Sequence, residues 1–284
     1  MRDPGAHMAV GADGQFAGSL SGGCIENAVV AEALDALKTN KPRITRFGAG
    51  SRYIDIKLPC GGGLDIHFLP LHDMALVGDC LNAIGLRRPF SLILPVCGGD
   101  PQYLPGWRPL SADRAAGYAV VGHWPAPRLL IIGHGGVVGS LDRLAAGMDL
   151  EASVLTSDPA LVDRLSGPGR NIRLLRSVRD VSAVRGDPWT AIIFLFHDHD
   201  WEGHLMAHAL DQPYFYLGAM GGRKAHSARQ EALRILGVTE AKIARIHAPI
   251  GLFHSARDPD SLALSALAEI IQCYQSYDFA DQTA

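Results

Sequence analysis

Two glycine-flanked cysteines open the chemical reading of this 284-residue chain. The first lies in Gly22-Gly23-Cys24-Ile25-Glu26, at the start of an amphipathic stretch. A thiol at a helix N-terminus sits beside free backbone N–H groups and the positive end of the dipole, which lowers its pKa and suits a nucleophile or soft-metal ligand. Glu26 works against that thiolate, and could equally accept a proton or hold a ligand hydroxyl or amine. The same spacing also fits a small cysteine buried in a tight turn. The second is Cys60-Gly61-Gly62-Gly63, after YIDIKLP. Its glycines let the backbone pass close to a ligand or another loop and offer N–H groups to an anion. Cys60 could face Cys24, or be incidental to a glycine-rich hairpin.

Three further segments follow. Gly133-His134-Gly135-Gly136-Val137-Val138 joins a strand to a helix, the context in which a phosphate lies on a helix N-terminus. The third glycine of a dinucleotide fingerprint is replaced by Val138, and the ribose-binding acid position falls near Thr156 and Ser157, with Asp158 just beyond. Both departures count against NAD(P). After TAIIFLF comes His197-Asp198-His199-Asp200-Trp201-Glu202-Gly203-His204, then His208, beyond the carboxyl end of a strand, where open α/β sheets bind ligands. His204 and His208 share a helix face and could bind zinc with His197 or Asp200, although the HExxH arrangement is absent. The alternative is a polar first helical turn with Asp200 as its cap. Gly218-Ala219-Met220-Gly221-Gly222-Arg223-Lys224 again runs from strand to helix, with two cations suited to a phosphate or carboxylate. An ordinary βα turn with a solvated basic pair has the same text.

The elements that must hold these residues read as an α/β chain. Residues 1–97 form a smaller α+β N-terminal domain, with a helix over Ile25–Lys38 whose Val30, Leu34 and Leu37 share a face, and a buried strand in SLILPV. Proline and glycine cluster over CGGDPQYLPGW, so 98–127 reads as a linker. Residues 128–284 alternate strand and helix as a Rossmann-type parallel sheet domain: strands at RLLIIGHG, ASVLT, NIRLLR, TAIIFLF and YFYLGAM, helices at 159–165, 201–210 and 224–236. A last helix is capped by Asp258 and Pro259, with Leu264, Leu267, Ala268, Ile271 and Tyr274 as its expected stripe.

The net charge of −3 gives no broad basic field for nucleic acid or an anionic membrane. No apolar run is long enough to span a bilayer and no signal-peptide core is present, which places the chain in the cytoplasm. Five scattered cysteines read as free thiols.

Taken together, DPGAHMAVGADGQFAGSLSGGCIENAV, CGGGLDIHFLP, IIGHGG, FLFHDHD, YFYLGAMGGRKAHSARQEAL and IHAPIGL followed by A-R-x-P resemble the xanthine dehydrogenase accessory factor family of the XdhC/CoxI type. The resemblance implies a chaperone more than a turnover enzyme. It would bind the molybdenum cofactor (molybdopterin), promote its sulfuration with sulfur from a cysteine desulfurase, and deliver it to a xanthine-dehydrogenase-like molybdenum hydroxylase apoenzyme. It draws attention to Cys24, as a molybdenum contact or sulfur relay, and to Cys60. Gly22, Gly23, Gly133, Gly135, Gly136, His197, Asp198, Gly218, Gly221, Arg223 and Lys224 are then expected to hold the cofactor. A serine is common in the family at position 222, and its members usually have a further strand and Gly-Ser-rich loop upstream, so that either a truncated start or a shortened branch is expected; a homodimer could complete the N-terminal sheet. Three rivals remain: an NAD(P)-dependent oxidoreductase using His197 or Asp198 as acid or base, a metal-dependent enzyme on His197, Asp200, His204 and His208, and a binding scaffold without activity.

Overall fold

The computed structural model describes residues 4–21, 23, 25–53, 61–96, 98–113, 117–197, 199–253 and 258–280. The chain divides into two units between Pro125 and Ala126. In the first, β1 (Met8–Val10) and β2 (Phe16–Gly18) form an antiparallel pair, followed by α1 (Glu26–Thr39). Next come the antiparallel pair β3 (Arg43–Gly48) and β4 (Gly63–Phe68), then α2 (Ala75–Gly85). β5 (Phe90–Pro95), β6 (Gln102–Pro105), β7 (Ser111–Asp113) and β8 (Tyr118–His123) make an antiparallel sheet in the order β6-β5-β8-β7. Three of these strands lie inside the segment expected to be a linker. Its prolines and glycines sit in the turns between short strands, and the first unit therefore extends to Pro125.

α1 forms where expected but turns a different face inward. Val29, Glu32 and Ala36 are its buried side chains beyond the first residue, while Val30, Leu34 and Leu37 are only half-buried. Hydrophobic spacing misses this because a carboxylate occupies the inner face. Glu32 is held there by Thr45 Oγ1 at 3.2 Å and by the guanidinium of Arg52 and the hydroxyl of Tyr53. Ile25, Val29, Phe47 and Phe68 make the core around it.

A histidine pair sits elsewhere in this unit. His7 Nε2 and His123 Nε2 are 3.2 Å apart, and the His123 ring stacks on Phe90 at 4.7 Å. Burial, followed by the nearby His7, pushes the His123 imidazole down to about 4. The folded state then takes up this proton later than the unfolded chain does. The stability it contributes is full above the ordinary histidine value, near 6.5, and is lost as pH falls from there through about 4. Chemical denaturation at pH 7 and pH 4.5 is expected to show a loss on the order of 1–3 kcal/mol that His123→Phe removes. An unchanged pH dependence in the variant would refute this.

In the second unit β9 (Arg128–Gly133), α3 (Gly136–Gly147), β10 (Glu151–Thr156), α4 (Pro159–Leu165), β11 (Asn171–Leu174), β12 (Thr190–Leu195), α5 (Glu202–Ala209), β13 (Tyr216–Ala219), α6 (Arg223–Ile235), α7 (Glu240–Ile243) and α8 (Pro259–Ser276) follow one another. The five strands are parallel in the order β11-β10-β9-β12-β13. All six residues of β12 are buried, as a central parallel strand covered on both faces requires. α8 is capped as its sequence indicates, Asp258 Oδ1 accepting from Ser261 N at 2.8 Å with Pro259 in the first turn. Its buried stripe is Ala263, Ala266, Leu267 and Ile270, with Leu264 53% exposed, one position from the expected register. The alanines let α8 lie close against α3, so small residues rather than large ones mark the packed face. Among the described residues no helix is long and apolar enough to cross a membrane.

Candidate functional site

Glu26 organises the loop that precedes α1. Its Oε1 accepts from Ser19 Oγ at 3.2 Å and Ser21 N at 3.1 Å; its Oε2 accepts from Ser21 Oγ at 2.8 Å, Gly23 N at 2.9 Å and Ile25 N at 3.1 Å. Burial opposes the charge, but the Ser21 hydroxyl and the backbone N–H groups of Ser21, Gly23 and Glu26 itself outweigh it, holding the carboxyl far below the usual carboxylate range. This corrects the proton-acceptor reading of Glu26. A carboxylate whose two oxygens already accept from five donors and whose pKa is held this low is too weak a base to take a proton at neutral pH. The residues on either side of position 24 are thereby fixed, with Gly23 exposed at φ +111°. Gly22, Cys24 and Cys60 themselves lie outside the described residues. Beside the loop, Leu20 lines an apolar cavity of about 870 Å³.

At the carboxyl edge of the parallel sheet, neighbouring strands β9 and β12 lead to opposite sides, β9 to β10 and β12 to β13, which makes the crevice between them the switch point of the fold. His134 and His197 meet there with ring centroids 6.0 Å apart, and His134 packs edge-on to Phe196 at 5.3 Å. Gly133 serves packing: a Cβ there would lie 2.5 Å from the Leu195 carbonyl oxygen on β12. Gly135, at φ +84°, makes the turn into α3, and Gly136 lies against Pro259. Val138 is fully buried. Thr156 is buried as well, its Oγ1 accepting from Asp158 N at 3.1 Å, while Asp158 Oδ1 caps α4 through Ala160 N at 2.9 Å. Asp158 thus serves the helix start instead of standing in for a ribose-binding acid, and nothing in this turn supports NAD(P).

Beyond β12, His197 is exposed and Asp198 lies outside the described residues. α5 begins after a short 3-10 turn and has Trp201, not Asp200, at its N-cap position. His208 Nε2 pairs with Gln212 Nε2 at 3.2 Å. Among the described residues no group of three or more His, Cys, Asp or Glu side chains could hold a metal, so His204 and His208 find no further ligand there.

The turn after β13 carries the most chemistry. Gly218 is a packing glycine, since a Cβ would lie 2.5 Å from the Tyr216 hydroxyl and 2.8 Å from Ile250. Gly221, at φ +119°, and Gly222 turn the chain into α6, whose first residues, Arg223 and Lys224, are exposed. Beneath them is a buried ion pair that the pattern of the sequence did not reveal. Arg229 Nε donates to Glu202 Oε2 at 3.0 Å, and Arg229 Nη2 donates to Glu202 Oε1 at 3.1 Å and to the Met220 carbonyl at 2.7 Å. Both side chains are at most 3% exposed. The available signal was weak: Arg229 interrupts the solvent pattern of α6 one helical turn before the buried Leu233.

Comparison with known proteins comes on top of this geometry. The XdhC Rossmann domain family matches residues 129–270, and the XdhC and CoxI family matches residues 1–48. The molybdenum cofactor insertion chaperone PaoD of Escherichia coli K12 is 32% identical over 284 residues, covering 98% of this chain and 81% of PaoD. The uncharacterised protein YqeB of the same organism is 27% identical over 94% of this chain, which spans 40% of YqeB. A solved Bacillus halodurans structure described as a xanthine dehydrogenase superposes with a TM-score of 0.78 at 18% identity, covering 98% of this chain and 89% of that one, a likeness of fold.

Proposed function

The chain belongs to the XdhC and CoxI family, and from that premise we propose that it binds the molybdenum cofactor as cargo and hands it to a molybdenum hydroxylase apoenzyme related to xanthine dehydrogenase. The observation that carries this reading is the end-to-end similarity to a molybdenum cofactor insertion chaperone, from the cysteine loop through the last helix. The geometry supports attention to this loop, because Glu26 gathers the backbone N–H groups of Gly23 and Ile25, on either side of position 24. Cys24 is the group we assign to contact with molybdenum or relay of sulfur, with Cys60 as its partner, since thiolates suit soft metals and sulfur transfer. His197 at the switch point, with Gly135, Gly136, Gly221, Arg223 and Lys224 and with Asp198 next to it in the sequence, holds the pterin and its anionic end. The cofactor is sulfurated with sulfur from a cysteine desulfurase before insertion, in the cytoplasm, by a protein acting as a homodimer.

Native mass spectrometry of protein purified with excess molybdenum cofactor, paired with activation of a hydroxylase apoenzyme, tests this. Bound pterin and activation are expected. Cys24→Ser is expected to lower activation on the order of tenfold or more, in keeping with the weaker nucleophilicity of a hydroxyl. Activation equal to the parent's would remove Cys24 from the mechanism.

A further inference from the structure

Arg229 and His226 lie one helical turn apart on α6, and each carries a buried nitrogen with no hydrogen-bond partner, Arg229 Nη1 and His226 Nδ1. Both are donors. His226 Nε2 faces the Gln230 Nε2 amide at 3.1 Å; an amide nitrogen donates, so the ring accepts there and its proton sits on Nδ1. The guanidinium is planar, and each end nitrogen carries an outer N–H that runs parallel to the outer N–H of the other. Nη2 spends its inner N–H on Glu202 and its outer one on the Met220 carbonyl, so one N–H of Nη1 runs alongside the latter, toward the end of β13 that leads into the turn. The side chain of Arg229 is 2% exposed. An unpaired buried donor costs free energy, and the one on Arg229 that runs toward the start of α6 calls for an acceptor from outside.

The charges select that acceptor. Glu202 is already paired bidentately with Arg229, which leaves Arg223, Lys224 and the N-terminal dipole of α6 as an excess of positive character at the turn. Gly221 at φ +119° opens the backbone without a side chain over the free N–H groups. We propose that this turn is a built oxyanion site: Arg229 Nη1, His226 Nδ1 and the first N–H groups of α6 bind a phosphate group of an organophosphate, while Arg223 and Lys224 close over it. The inference rests on the reading of this turn given above, and adds the buried donors and the phosphate class of the ligand.

Titration of the full chain with inorganic phosphate, followed by ³¹P NMR and calorimetry, reads the site directly. Saturable binding is expected, weakened about tenfold or more by Arg229→Lys, which keeps the charge and loses Nη1, and likewise by the exposed double variant Arg223→Ala/Lys224→Ala. His226→Phe is expected to weaken it less. Competition with a phosphate monoester such as phenyl phosphate and with a pyrophosphate diester such as ADP-ribose separates the two sources of the oxyanion, and displacement by either supports the site. Absence of saturable binding, or binding that the double variant leaves unchanged, overturns it. Failure here with pterin still bound leaves the chaperone reading standing; phosphate binding without pterin would do the reverse.

Discussion

Glu202→Ala is expected to lower the melting transition of the Rossmann unit by on the order of 10 °C. The substitution leaves the Arg229 guanidinium inside the α5–α6 interface with Nε unpaired and Nη2 held only by the Met220 carbonyl. Removing one partner of a buried pair costs about 3–5 kcal/mol, because the remaining charge stays desolvated. For a unit of this size each kcal/mol corresponds to roughly 2–4 °C. Glu202→Gln keeps one carbonyl acceptor and should cost less. Differential scanning calorimetry decides the matter, and a shift below about 2 °C for the alanine variant would mean that water or a rearranged side chain replaces the carboxylate.

Glu26→Ala is expected to abolish cofactor transfer while leaving the Rossmann unit intact. Five donors lose their acceptor at once, two serine hydroxyl or backbone groups on Oε1 and three on Oε2. The loop either takes up water or opens, at a cost of about 2–4 kcal/mol for the N-terminal unit. Glu26→Gln separates the roles. If the carboxylate only organises the loop, glutamine should be nearly as damaging as alanine, because its NH₂ would face N–H donors. A glutamine variant that keeps the loop protected and loses only activity would refute this account of the carboxylate. Hydrogen exchange at Ser21, Gly23 and Ile25 distinguishes these outcomes. The pH dependence has a definite sign: a carboxyl whose folded pKa is depressed stabilises the loop above its ordinary value near 4.5, and that stability fades as pH falls below it.

The contrast between the two units explains how far the sequence can be read. The alternation of apolar strands with amphipathic helices after residue 127 determines a parallel Rossmann sheet, since only strands buried on both faces produce runs such as TAIIFLF. It also marks the turns at Gly135 and Gly221, where a positive φ demands glycine. The Asp258-Pro259 start of α8 is equally local, since capping involves neighbours in the chain. The N-terminal unit is less legible, because its strands are short and separated by the same prolines and glycines that mark a linker.

What the chain cannot disclose locally is which polar groups turn inward. Glu32, Glu202 and Arg229 look like solvent residues on helices until tertiary packing gives them buried partners, and Glu26 until its own loop closes over it. Two of the glycines expected to contact ligand, Gly133 and Gly218, are constrained by packing instead, Gly133 by Leu195 on β12 and Gly218 by Tyr216 on its own strand and by Ile250. The sequence alone thus determined the parallel sheet and the places where loops meet helices, because these follow from local periodicity and backbone preference, while its motifs carried the family resemblance. Only the three-dimensional structure decided that Glu26 folds back on its own loop, and that Glu202 meets Arg229 and Glu32 meets Thr45, Arg52 and Tyr53 inside the protein, the latter two because they depend on which distant atoms share a buried volume and on the cost of leaving a polar group there unpaired.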